Sequence, residues 1–380
     1  MDLTLTDDQE FFRDTTRRFL EAETPVSSLR ALEGDSAGFD RGWWQKGAEL
    51  GWTSMLVPED LGGGSLAGEG MLDLVLVAEE MGRVVAPGAL VPVNVVADAL
   101  ARSGSAEQQA LLPSLVAGET LAAWAFWEPG GTWAPDGLRL MARGAGDDFV
   151  LDGDKALVEA GNLADQFLVV VRTDDGLTQV LVPADASGLT VTNEVSLDLG
   201  RRYATLHFED VRVPATAVVG QPGAAENDVE HQLRVATVLQ VAETCGVAAR
   251  VFDLTLEYMN DRYSFGRQLA SYQALKHRVA DMKMWLEASL GVATAAAQAV
   301  QHDAPNAASI VSAAKAYVGE KATDLIQDCV QLHGGIGVTW EHDLHLYLRR
   351  ATVNRFMYGT PEEHRERLAA SAVMSGGPRG

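Results

Sequence analysis

Apolar positions along this chain follow two different periods, and the places where the period changes divide it. From Thr6 to about residue 122 the apolar residues recur at helical spacing. Phe11, Phe12, Phe19 and Leu20 form one stripe behind Thr6-Asp7-Asp8-Gln9, which reads as an N-cap with acids in the first turn. Trp43 to Leu50 predicts a second helix closed by Gly51, and Gly70 to Arg83, Val93 to Ser103 and Ala106 to Leu115 predict three more. Pro58 to Gly70, with Gly62-Gly63-Gly64 inside it, reads as loop.

After Glu119 the pattern shortens. Leu121 to Phe126 is a brief apolar run, Pro129-Gly130-Gly131 a break, and Leu138 to Arg143 alternates. Phe149 to Lys155 predicts a strand running into a turn. Gln166 to Arg172, Leu177 to Val182, Thr190 to Thr192 and Ala204 to Val213 predict further strands separated by turn residues. Short strands at this spacing suggest a compact barrel-like or sandwich domain. From Glu226 the helical period returns through Glu230 to Asn260, Ala270 to Ala299, Ala307 to Gly334 and Asp343 to Phe356. Helices this long bury their faces against one another, so an antiparallel bundle is expected. The fold class expected is α+β, mainly α. Residues 1–122 make a helical N-terminal domain, 123–225 a small central β domain, and 226–380 a C-terminal helical bundle. The tail from Met374 to Gly380 is expected to be mobile.

Composition narrows the functions. With 47% hydrophobic residues the chain can bury a large core, and its net charge of −23 speaks against a nucleic-acid partner or an anionic membrane surface. The two cysteines, Cys245 and Cys329, sit in apolar helical patterns and suit buried thiols in a reducing cytosol. The acidic start MDLTLTDDQEFF lacks the regions of a signal peptide, and no run reaches the ~18 apolar residues of a membrane span. A cytoplasmic protein without a membrane span is expected. His342-Asp343-Leu344-His345, with His333 nearby, carries no open-site motif, so no metal is expected.

Two separated blocks carry the candidate chemistry, Tyr258 to Asp281 and Gln331 to Thr360. Arg262 stands near the end of a long helical pattern, Ser264-Phe265-Gly266 breaks it, and Gln273 opens another helix. The second block sets Gly334-Gly335-x-Gly337 between two helical runs. An Arg fork and bare backbone N–H groups at a Gly-rich turn suit a phosphate-bearing ligand.

At these residues, and over nearly its whole length, the chain resembles the acyl-CoA dehydrogenase family. The resemblance is carried in order by Leu50-Gly51-Trp52, Val57 to Gly63, Ala78 to Arg83, and Leu112-Pro113 with Ala117-Gly118-Glu119. It continues through Trp127-Glu128-Pro129, Leu151 to Lys155 and Ala164-Asp165. It implies the family's helical, β, helical architecture, an acyl-CoA substrate, FAD, and an electron-transfer acceptor protein. In the family a carboxylate removes the α proton of the thioester while FAD takes hydride from the β carbon. The family's cofactor contacts fall on Arg262, Ser264, Phe265, Gln273, Gln331, Gly334, Gly335 and Thr360. The first of these reach the FAD of a neighbouring subunit, which implies at least a dimer.

The chain departs from the family pattern on the flavin-ring side and at the base. Leu157 and Glu159 stand where an aromatic residue and a Thr are usual, and Gly130-Gly131-Thr132-Trp133 replaces small hydroxyl or acidic residues. The family's base position is Tyr358, and a second group's base position aligns with Ala236. A Tyr base starts from a pKa of ~10, so bringing it to neutrality takes about 4 kcal/mol of differential stabilisation. Glu243 lies seven residues beyond Ala236 on the same helix face, about 10 Å along the axis. It is either a displaced base or a buried Glu bonded to a neighbouring helix, while Glu362 and Glu363 read as first-turn acids. The function expected is an acyl-CoA dehydrogenase subunit of a hetero-oligomer, a dimer or tetramer, whose homologous partner supplies the base. The alternative is a non-catalytic structural paralogue that contributes FAD contacts across an interface. The acyl chain stays open.

Overall fold

A computed structural model describes residues 5–146 and 148–375. The expected mobile tail lies outside them, apart from Met374 and Ser375 at the end of the last helix. The first helices are α1 (Asp7–Glu23), α2 (Arg41–Glu49), α3 (Gly70–Arg83), α4 (Leu90–Ser103), α5 (Ala106–Gln109) and α6 (Leu112–Val116). Strands β1 (Ala122–Ala125), β2 (Met141–Ala145), β3 (Asp148–Glu159) and β4 (Gln166–Thr173) follow. They continue with β5 (Gly176–Pro183), β6 (Leu189–Asn193), β7 (Tyr203–Pro214) and β8 (Val218–Val219). Then come α7 (Glu226–Asp261), the hairpin β9 (Tyr263–Ser264) and β10 (Arg267–Gln268), and α8 (Gln273–Gln301). The chain closes with α9 (Ala307–His333), α10 (Leu344–Phe356) and α11 (Pro361–Ser375).

The helix starts follow local chemistry. Thr6 caps α1 in a reciprocal box with Gln9, and Ser105 caps α5 in the same way with Gln108. One helix was expected over Ala106 to Leu115, and two short ones form. Pro113 has no N–H to continue the ladder and sits instead in the first turn of a new helix. Pro92 likewise lies in the first turn of α4, which therefore starts at Leu90, before the expected Val93.

The strands form one mixed sheet ordered β6-β7-β3-β2-β4-β5-β8, with β1 parallel to β4. Residues of β7 and β8, far apart in that order, share one apolar cluster with β1, β3, β4 and β5. A flat sheet could not bring them together, so this one wraps around its own core. The strand expected over Phe149 to Lys155 runs on to Glu159. Gly153 takes φ 134° and the pairing with β7 shifts register there, so the strand is bulged and not ended.

By backbone contacts the described residues group into two units. One holds residues 5–29, 75–86 and 237–375, and the other holds 30–74 and 87–236. This grouping follows a different line from the three-part division of the sequence, because α1 and the end of α3 pack with the C-terminal helices. Arg17 of α1 bonds Glu80 of α3 at 2.6 and 2.8 Å. α7 is long and apolar enough to cross a bilayer, but 89% of its apolar window is buried inside the protein. It is a core helix.

Candidate active site

At the end of α7 the chain turns through the β9–β10 hairpin. Its two tip residues, Phe265 and Gly266, have φ of 50° and 81°, and positive φ at both centres gives a primed hairpin turn. Glycine adopts it freely, whereas a Phe there is strained. Phe265 is 96% exposed, so its ring stands out in solvent. The Tyr272 hydroxyl donates to the Ser264 carbonyl at 2.8 Å, and the Arg267 guanidinium lies 3.8 Å over the Tyr272 ring. Gln273 opens α8, exposed, with its amide 3.1 Å from His277 Nε2. Tyr272 provides no side-chain cap, which leaves the first N–H groups of α8 open. Arg262 is exposed and forms no ion pair among the described residues.

The second block is brought to the first. α9 ends at His333, whose ring stacks on Tyr258 of α7 at 4.3 Å, and the Tyr258 hydroxyl donates to the His333 carbonyl at 3.3 Å. Burial holds the His333 imidazole below its ordinary pKa, and Nδ1 donates to the Cys329 carbonyl at 2.8 Å. Beyond it, Gly334–Val338 forms a 3-10 turn with Gly334 at φ 64°. Nothing lies within 4 Å of a Cβ built on Gly334 or Gly335, so that backbone faces open space beside the exposed Gln331. An unpaired guanidinium and an open glycine turn on the same unit fit the nucleotide end of a cofactor. Thr360 stands at the start of α11. Its hydroxyl accepts from the Glu363 N–H at 3.2 Å and its own N–H goes to Glu363 at 2.7 Å, a capping box for α11.

No carboxylate stands at either base position of the family pattern. Ala236 is fully buried, and Tyr358 is 4% exposed with φ 60°, a strained turn between α10 and α11. Two buried groups pin that turn. Lys315 of α9 donates to the carbonyls of Asn354 and Met357, the latter at 2.8 Å, and to Gln240 of α7. Burial pushes its amine down to about 7, against the pull of Glu363. His364 Nε2 donates to the Tyr358 carbonyl at 3.0 Å, leaving Nδ1 to accept from Ser312 at 3.1 Å. Burial, reinforced by the charges of Lys315 and Arg367, pushes His364 down to about 3.

Glu243 has both oxygens engaged. Arg350 of α10 donates to one at 2.7 Å and Asn354 to the other at 2.8 Å. Arg350 is fully buried and also donates to the carbonyls of Ala86 at 3.0 Å and Val85 at 3.3 Å, just past the end of α3. One turn earlier on α10, the Tyr347 hydroxyl bonds the Arg83 carbonyl at 2.9 Å. Neither Lys315 nor Arg350 stood out in the sequence, because a cation in a helix usually faces water.

At the positions where the chain departs from the family pattern in the β domain, the polar side chains are turned inward. Leu157 and Ala160 have φ of 52° and 56°, and the buried Glu159 carboxylate takes Arg201 at 2.6 Å. Nearby in sequence, buried Lys155 pairs with Glu128 at 2.8 Å. Burial pushes Lys155 down to about 8 against Glu128. Burial also raises the Glu128 carboxyl, but Lys155 and the Leu140 and Arg139 N–H groups outweigh it and hold it below its usual range. Among the described residues no three His, Cys, Asp or Glu gather as metal ligands. His345 stacks on Trp340 at 4.8 Å, and His342 meets the His333 ring edge-on at 5.0 Å.

Three sequence patterns cover almost all of this arrangement: the N-terminal domain of acyl-CoA dehydrogenase at residues 6–119, its middle domain at 123–211 and its C-terminal domain at 227–373. The chain belongs to the acyl-CoA dehydrogenase family. It is 30% identical over 96% of its length to acyl-CoA dehydrogenase IpdE2 of Mycolicibacterium smegmatis, of which 99% is covered. Among solved structures, butyryl-CoA dehydrogenase from Megasphaera elsdenii superposes with a TM-score of 0.90 at 25% identity, covering 98% of this chain and 100% of that one. A variant of the Tcur3481-Tcur3483 steroid ACAD gives 0.87 at 29% identity, covering 98% and 99%. An acyl-CoA dehydrogenase is an FAD-dependent oxidoreductase, and FAD is the cofactor of this fold. When bound, FAD accepts the hydride taken from the acyl thioester.

Proposed function

We propose that this chain is one subunit of a hetero-oligomeric acyl-CoA dehydrogenase, in which a homologous partner carries the catalytic carboxylate. The observation behind the reading is the pair of empty base positions, with Ala236 at one, Tyr358 at the other, and Glu243 bound on both oxygens. A positioned general base is worth roughly 10²–10⁴-fold in rate, and a homo-oligomer would repeat its absence in every site. Glu243 acts in this reading as the internal counter-ion of Arg350. Arg262, Gln273 and the Gly334-Gly335 turn hold the nucleotide end of FAD, and Phe265 packs against the neighbouring subunit.

Support for a two-gene assembly also comes from the steroid relative described under the joined names Tcur3481-Tcur3483. The domain limits 1–122, 123–225 and 226–380, a cytoplasmic setting, and an electron-transfer protein that reoxidises the flavin belong to the same proposal. The test is to purify the chain alone, add FAD, and assay several acyl-CoA esters with an artificial electron acceptor. The isolated chain is expected to be inert, and co-expression with a homologue carrying a Glu at the base position should restore turnover. Robust turnover by the lone chain would sink the reading.

A further inference from the structure

Three backbone N–H groups and one buried ion pair on the ring side of the cofactor are already engaged inside the protein. β3 is irregular between Lys155 and Val158, where its pairing with β7 shifts. Two non-glycine residues with positive φ, Leu157 and Ala160, stand three positions apart at this bend. Strain of this kind persists where the surroundings over-determine it, often at a functional site. Yet the Leu157 N–H is given to Glu194 at 3.0 Å, and the same oxygen takes the Thr205 hydroxyl at 2.7 Å. The Ala160 N–H goes to the Arg202 carbonyl and the Ala156 N–H to the Trp127 carbonyl, both at 2.9 Å.

Between the strained residues, Glu159 is 4% exposed and pairs with Arg201, itself 4% exposed. A flavin ring presents carbonyl oxygens and N5, which accept hydrogen bonds, and one N3–H, which donates. An ionised carboxylate can only accept, so it offers the oxygens and N5 nothing and repels the negative charge gained on reduction. Opening the pair would leave a charge buried alone. In the stretch after Pro129, Trp133 stacks parallel on Phe126, 5.8 Å between centres and 4° between planes, and both are buried. The nucleotide side is the reverse, with Arg262 and Gln273 exposed and the glycine turn open.

We infer that this chain divides the cofactor: it accepts the nucleotide end of FAD and refuses the flavin ring, which the partner must house. This rests on the mixed-assembly reading for the identity of the ring's host. It carries a consequence of its own, one tightly held FAD for each pair of unlike chains.

Fluorescence on the purified full-length chain decides it. FAD is titrated in, ADP is added as competitor, and riboflavin is titrated separately. ADP should displace FAD, riboflavin should not bind, and iodide should quench the ring of bound FAD within about twofold of free FAD, as it does a solvent-open ring. A bound ring shielded from iodide overturns the inference, as does saturable riboflavin binding or a failure of ADP to compete. Iodide access needs no turnover, so this result is separate from the activity assay that tests the mixed assembly.

Discussion

Gly82 of α3 and Gly246 of α7 each press against the backbone of the other's helix. A Cβ on Gly82 would stand 2.0 Å from the Glu243 carbonyl oxygen, and one on Gly246 would stand 1.9 Å from the Glu79 carbonyl oxygen. The sequence at both places is Ala-Glu-x-x-Gly, at Ala78 to Gly82 and Ala242 to Gly246. The crossing is therefore reciprocal, with each glycine seated on the residue three positions before the other. Alanine at either glycine must force the helices apart, since the obstacle is backbone. Overpacking typically costs about 1–3 kcal/mol, and this contact should reach or exceed the upper end. Denaturant midpoints of Gly82→Ala and Gly246→Ala check it, and the double variant should cost less than the sum because one separation relieves both.

The Glu243–Arg350 pair makes a second prediction. Removing one partner leaves a buried charge alone, which typically costs about 3–5 kcal/mol. Arg350→Met should therefore lower the thermal midpoint strongly, the more so because the Val85 and Ala86 carbonyls lose their donor. Adding Glu243→Leu to it should recover much of the loss. If Glu243 were instead the base, Glu243→Gln would abolish turnover of the assembled enzyme with stability nearly unchanged.

His364 sets a pH window. Its folded pKa, about 3, lies below the ordinary 6.5. The unfolded chain thus binds the proton first, and the stabilising contribution is complete above 6.5 and lost as pH falls from 6.5 toward 3. The full span corresponds to at most about 5 kcal/mol. Unfolding free energy measured from pH 7 to pH 4 should drop less steeply in His364→Gln than in the native chain.

What the sequence disclosed was local. Thr6 with Gln9 announced the start of α1, and the shift from period 3.6 to period 2 marked the β segment, because both signals lie within a few residues. The strand through Gly153 was ended at Lys155, and only its partner β7, more than fifty residues away, shows that it continues past a bulge. Strand β8 was missed, since two valines carry no period. The buried cations Lys315 and Arg350 were illegible because their partners lie far away in the chain. Lys315 meets Gln240 across 75 positions and Arg350 meets Glu243 across 107. Arg262 and the Gly334 turn could be singled out because a cation beside a helix break and a glycine run are local signals.

Arg262→Ala should lower FAD occupancy of the assembled protein, because a charge-assisted contact to phosphate is lost. Arg262→Lys should restore only part of it, since a single ammonium cannot reproduce the guanidinium fork. Flavin absorbance per protein after desalting measures both. Occupancy unchanged in the Ala variant would remove Arg262 from the cofactor site.

Lys315 has a use that its neighbours did not suggest. Its amine is buried and sits in a cage of three carbonyl oxygens, two of them in the backbone at the end of α10 and one in the Gln240 side chain. Acylating reagents can reach it only when α9 and the last turn of α10 part. Once released it loses the burial that lowers its pKa and regains the ordinary amine value of about 10.5, so the tagging is read at alkaline pH. The rate at which it is tagged therefore counts openings of this helix layer, one lysine serving as the protein's internal clock.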